Sequence, residues 1–127
     1  MDNTHYISTE ILSLETLKEI ISNQKLLALS DEAKVNIQKC RDYLDAKMGS
    51  NSKPIYGINT GFGSLCNVKI SNKNLSKLQE NLVKSHACGT GEEVPREIVK
   101  LMLLLKIQSL SYGHSGIQLQ TVERLVD

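Results

Sequence analysis

A chain of 127 residues is long enough for one domain with a modest core. Its 15 lysines and arginines are matched by 14 acids interspersed among them, which excludes both the basic footprint of a nucleic-acid binder and an acidic tail. Asp2, Glu10, Glu15 and Glu19, with no basic segment leading into an apolar one, argue against a signal or transit peptide, and a soluble cytoplasmic protein is expected.

The first predicted helix opens at Ser13, an N-cap before the apolar stripe Leu14, Leu17, Ile20 and Ile21. A second opens at Ser30, with Asp31 and Glu32 near the positive end of its dipole and Ala33, Ile37, Cys40, Leu44 and Met48 along one face. Gly49-Ser50-Asn51-Ser52 is expected to stop it. Pro54 disfavours helical geometry at Lys53, so Ile55 to Ile70 is expected as extended chain or loop. Ser71 begins a third helix in which Leu75, Leu78, Leu82 and His86 recur on one face, placing His86 inward. Gly89-Thr90-Gly91 ends it, and Pro95 opens a fourth helix reaching about Tyr112, with Gly113 as a left-handed cap. Apolar residues from Ile98 to Leu110 surround most of that helix, as suits burial among other helices or an assembly surface. Lys100 and Lys106 interrupt it too soon for a membrane span, which needs ~20 mostly apolar residues. Ile117, Val122, Leu125 and Val126 predict a last helix that reaches Asp127 with no stop signal, so a fragment of a longer chain is expected. The fold class is mainly α, with an irregular or short-stranded glycine-rich stretch over residues 55–70.

Chemistry concentrates in the run Tyr56-Gly57-Ile58-Asn59-Thr60-Gly61-Phe62-Gly63. Three glycines give a backbone that can take positive φ and approach a ligand closely, and a phenol at its mouth is a candidate acid or base. A plain turn carrying an aromatic remains the alternative. A phosphate-binding loop is disfavoured, because neither GxxxxGK nor GxGxxG spacing is present. Cys40, Cys66 and Cys88 are odd in number and far apart, which suits reduced thiols better than a disulfide framework or zinc site. His86 and Cys88 are two apart and point to different faces of a helix, so no metal is expected there. His114 sits in a helix-ending turn and reads as a cap or packing residue. Asn74-Leu75-Ser76 matches a glycosylation acceptor, a match discounted for want of a secretory signal.

Three segments, YGINTGFG at Tyr56–Gly63, NLVKSHACG at Asn81–Cys88 and its following glycine, and SLSYGHSG ending at Gly116, occur in an order and separation that resemble the N-terminal part of the histidine ammonia-lyases. The resemblance implies a cytoplasmic, largely helical, homotetrameric lyase that eliminates ammonia from an aromatic L-amino acid, here histidine giving urocanate. It implies a methylidene-imidazolone electrophile made from an internal Ala-Ser-Gly. That triplet occurs nowhere in the 127 residues, so the isolated chain is expected to be inactive. By the same resemblance Tyr56 removes the β-proton, Gly63 borders the substrate and His86 faces its side chain. A free phenol titrates at ~10, so a base of this kind needs cations or helix ends nearby. The Ser85-His86 pair favours imidazole as substrate over the Phe-Leu of phenylalanine-using and the His-Leu of many tyrosine-using relatives. Tyrosine ammonia-lyase and a non-catalytic helical assembly module are the alternatives.

Overall fold

The computed structural model describes residues 3–50 and 53–127. The chain divides into two compact units, residues 1–50 with 94–127 and residues 51–93, where length alone suggests one domain. The first unit opens on a strand for which no element was expected, β1 (Thr4–Ile7), followed by helix α1 (Leu14–Ser22), strand β2 (Leu26–Leu29) and helix α2 (Asp31–Ser50). β1 and β2 pair in parallel with Thr4 opposite Leu26 and Ile7 opposite Leu29, and α1 supplies the crossover that a parallel pair requires. Four residues of Leu-Leu-Ala-Leu carry no alternation, so periodicity gives no strand signal there.

The helix starts follow the predicted caps. Ser13 Oγ accepts from Thr16 N at 3.1 Å, and Ser30 Oγ accepts from Ala33 N at 3.1 Å. Of the predicted α2 stripe, Ala33 and Ile37 are buried, and Cys40, Leu44 and Met48 are half-buried. α2 runs through Gly49 to Ser50, whose hydroxyl donates to Ala46 O at 3.0 Å; Asn51 and Ser52 of the expected stop lie outside the described residues. After the second unit the chain returns as α4 (Arg96–Ser111) and α5 (Leu119–Val126), the latter centred on buried Val122. Ile7, Ile20, Leu29, Ile37, Leu104, Ile107, Leu110 and Val122 form one apolar core.

Two expectations for α4 separate. Gly113 takes φ 70° and donates to Leu110 O at 3.1 Å, the left-handed cap predicted. All-round burial is not observed: α4 packs on α2, α5 and β1 with Leu104, Ile107 and Leu110, while Ile98, Val99, Met102, Leu103 and Leu105 face outward. One helix surface meets neighbours within this unit, and the others do not. Buried Gln108 secures the loop after β1, its Nε2 donating to Ser8 O at 3.0 Å and Glu10 O at 3.1 Å. Ser111 Oγ also donates to Ser8 O at 2.9 Å, so carbonyls of the loop after β1 find donors on α4.

The strand pair carries a pH dependence. His5, opposite Leu27, is held below the usual imidazole range by burial and then by the Lys25 ammonium, with Glu19 opposing. Its folded value therefore lies below that of the unfolded chain. The stabilising contribution is complete above about pH 6.5 and is lost as pH falls from there through the folded value. Thermal unfolding should show a fall in stability as pH drops below about 6.5 that is smaller in His5→Gln. Identical profiles for the two proteins would rule this out.

In the second unit the stretch 55–70 is irregular, as expected. It contains one 3₁₀ turn (Gly63–Leu65) and one antiparallel bridge, Thr60 to Lys69. Helix α3 spans Leu75–His86, and a separate 3₁₀ turn (Asn72–Asn74) occupies the predicted first turn.

Candidate active site

Tyr56 and Gly63 share one loop, and the fold of that loop is set by an asparagine between them. Asn59 is buried. Its Oδ1 accepts from Ile55 N at 2.7 Å, its Nδ2 donates to Lys53 O at 3.2 Å, and its backbone carbonyl accepts from Ile70 N at 2.8 Å. The side chain thus replaces backbone partners across the turn, the usual work of asparagine in a loop. Buried Thr60 bonds Gly61 O at 2.9 Å, and Gly61 N bonds Val68 O at 3.1 Å. A Cβ at Gly61 would lie 2.6 Å from Leu65 Cβ and 2.9 Å from Leu65 O, so close backbone approach, not free motion, explains glycine there.

On this pinned turn the Tyr56 ring stands 63% exposed, its edge against Phe62 with centroids 6.0 Å apart at 70°. Its hydroxyl has no hydrogen-bond partner among the described residues. Burial therefore does not account for the position of the phenol. Gly63 begins the 3₁₀ turn at φ 55°, and a Cβ there would meet open space. The loop can present an oxygen and leave room beside it.

His86 is the last residue of α3. Leu75, Leu78 and Leu82 of its predicted stripe are half-buried, but His86 is exposed. The inward placement expected from periodicity fails at this residue because the helix ends there and residues 87–93 are exposed throughout. The ring instead turns back along the helix, with Nδ1 2.9 Å from Leu82 O and 3.0 Å from Ser85 Oγ. No hydrogen bond, ion pair or ring contact joins His86 to Tyr56 or Phe62 among the described residues. Glu80 earlier on α3 is held below the usual carboxylate range by Lys84 and then Lys77, exposed pairs that leave the helix end free of a carboxylate partner for His86.

Sequence reading singled out the ends of the loop and passed over Asn59 and Thr60. The available signal was an Asx-type residue inside a glycine-rich turn, where side-chain bonding to the backbone is common. Among the described residues, no group of three or more potential metal ligands forms. No described helix is long and apolar enough to cross a membrane.

A family model described as aromatic amino acid lyase matches residues 12–127. The histidine ammonia-lyase of Deinococcus radiodurans is 43% identical over 115 residues, covering 91% of this chain and 22% of the relative. Among solved structures, histidine ammonia-lyase from Trypanosoma cruzi aligns with a TM-score of 0.80 at 31% identity, over 97% of this chain and 23% of that one. The phenylalanine aminomutase of Pantoea agglomerans aligns with a TM-score of 0.84 at 28% identity, over 97% of this chain and 24% of that one. The chain thus spans less than a quarter of the length of each of these relatives. The mainly helical fold is common to relatives named for different reactions, so it does not by itself choose a substrate.

Proposed function

The chain belongs to the aromatic amino acid lyase family, and from that premise we propose that it forms the N-terminal segment of a histidine ammonia-lyase, contributing the base that takes the β-proton. The observation that carries this reading is an exposed phenol on a turn pinned by buried Asn59, in a chain 43% identical to a named histidine ammonia-lyase. A phenolate oxygen at Tyr56 would accept the proton from the carbon next to the amine-bearing one, and the amine would leave as ammonia, with urocanate as the product. Gly63 keeps the space beside that oxygen open, and His86 faces the substrate ring.

The methylidene-imidazolone expected for this chemistry does not fit the residues present, since no Ala-Ser-Gly occurs in the 127. In this reading the electrophile belongs to other residues of a longer, cytoplasmic, homotetrameric enzyme. The outward apolar residues of α4, Ile98, Met102 and Leu105 among them, are compatible with such an assembly and also favour the second reading, a helical assembly module without catalysis.

Ammonia release separates the two. The 127-residue chain alone should release none from L-histidine. The same chain fused to the remainder of the Deinococcus radiodurans enzyme, in place of the matching segment, should release it at a rate comparable to the parent. A correctly assembled but inactive fusion would favour the assembly module.

A further inference from the structure

We propose that Phe62 is a positioning residue whose ring, seated on the pinned turn, holds the Tyr56 side chain in one rotamer and so fixes where the phenol oxygen points. That this direction matters to the reaction rests on Tyr56 being the base, as proposed above; the holding of the ring does not.

Tyr56 by itself has little to hold it. Its ring is 63% exposed, and its hydroxyl has no hydrogen-bond partner among the described residues. An unsupported side chain exchanges among three staggered χ1 wells, and only one of them can put the oxygen on a given reacting carbon. The ring contact that selects one is with Phe62, at 6.0 Å between centroids and 70°, the edge-to-face arrangement in which the positive rim of one ring meets the negative face of the other. A hydrogen bond to the hydroxyl would also aim it, but at the cost of a lone pair. The ring contact leaves both lone pairs of the oxygen free to take a proton.

A support of this kind must itself be fixed. Phe62 stands between Gly61 and Gly63, the setting of a loose residue, yet its backbone is tied on both sides. Gly61 N donates to Val68 O at 3.1 Å, and Leu65 N donates to Phe62 O at 3.0 Å. Phe62 is extended at φ −113° and half-buried, whereas Tyr56 is exposed. At the other end of the turn, Ile55 N donates to Asn59 Oδ1 at 2.7 Å, and Ile55 O accepts from Ile58 N and Asn59 N, each at 3.1 Å. Both backbones are therefore anchored to the same turn, and what remains free in Tyr56 is its side-chain torsions. Productive geometry requires a reacting group to be held within about 0.5 Å by residues whose own rotamers are locked. Phe62 meets that condition and acts on the substrate only through Tyr56.

Two measurements test this. In the 127-residue chain, three-bond couplings from the backbone nitrogen and carbonyl carbon to Cγ read the χ1 populations of Tyr56, whose signals Tyr56→Phe identifies among those of the four tyrosines. One rotamer should dominate in the wild type, the couplings should average in Phe62→Leu, and Phe62→Tyr, which keeps the ring, should restore them. Averaged couplings in the wild type, or unchanged ones in Phe62→Leu, overturn the proposal. In the enzyme completed with the Deinococcus radiodurans remainder, Phe62→Leu should lower kcat for L-histidine about threefold at unchanged KM, the share lost when one of three wells is no longer preferred. It should leave the residual rate of Tyr56→Phe as it is, because that variant has no phenol oxygen to aim. An equal loss in both backgrounds would make Phe62 a wall of the site and overturn the proposal. A single Tyr56 rotamer that is lost in Phe62→Leu, in an enzyme whose kcat is indifferent to the Tyr56 hydroxyl, would uphold the holding of the ring and sink the proposed function. Averaged couplings in the wild type beside a large loss of kcat in Tyr56→Phe would do the reverse.

Discussion

Tyr56→Phe, introduced into an enzyme completed with the remainder of the Deinococcus radiodurans relative, is expected to lower kcat by roughly 10²–10⁴-fold, the usual worth of a positioned acid or base. The substitution removes one oxygen. It keeps the ring whose edge meets Phe62, and that ring is 63% exposed, so packing has little to lose. Stability should stay within about 0.5 kcal/mol, as for surface changes away from caps, cores and strained backbone. This separation of activity from stability is what distinguishes a base from a structural tyrosine. Asn59→Ala offers the contrast, because it removes the bonds to Ile55 N and Lys53 O that hold the loop, and should reduce activity by displacing Tyr56. Unchanged kcat in Tyr56→Phe would remove the residue from the chemistry.

Gly113→Ala should be the most damaging small substitution to stability, costing about 2–4 kcal/mol, the range in which backbone strain and core disruption combine. Two independent effects act at this position. The residue sits at φ 70°, which alanine adopts only under strain, and its Cβ would fall 2.6 Å from Asn36 O and 2.7 Å from Asn36 C. Those atoms belong to the backbone of α2 and cannot rotate away as a side-chain tip would. The helix must shift, and with it buried Ile37 and its neighbours in the core. Gly49→Ala is the control, since a Cβ there meets nothing within 4 Å and the residue lies in α2 with no positive φ. Urea unfolding should show no loss for Gly49→Ala and a large one for Gly113→Ala. A loss below about 0.5 kcal/mol at Gly113 would contradict this account of the α2–α4 contact.

Helix starts were legible because caps are local chemistry. Ser13 and Ser30 each sit next to the amides they satisfy, so both could be placed from a few residues of sequence. The left-handed Gly113 was legible for the same reason. β1 and β2 were not, because their hydrogen bonds join residues some twenty positions apart and each strand is only four residues long. Of the two readings of α4, burial all round or an assembly surface, composition could not choose. Apolar residues around a helix show what burial it could use, but only the neighbours present decide which side is covered.

At the candidate site, Tyr56, Gly63 and His86 were named by the resemblance, and helical periodicity assigned His86 the wrong exposure, since it assumes that the helix continues past the residue. The Ser85–Leu82–His86 contacts lie below what spacing can resolve. That two adjacent polar side chains, Ser85 and His86, both turn back onto the Leu82 carbonyl is a matter of rotamers. Asn59 was hidden for a related reason, because its partners are amide and carbonyl groups that every residue shares.

The near-ultraviolet spectrum of the product made by the completed enzyme from L-histidine and, separately, from L-tyrosine tests the proposal most directly. The account predicts accumulation of urocanate from histidine, abolished in Tyr56→Phe, with little product from tyrosine. Conversion of tyrosine in preference to histidine, or histidine turnover that survives loss of the Tyr56 hydroxyl, would contradict it.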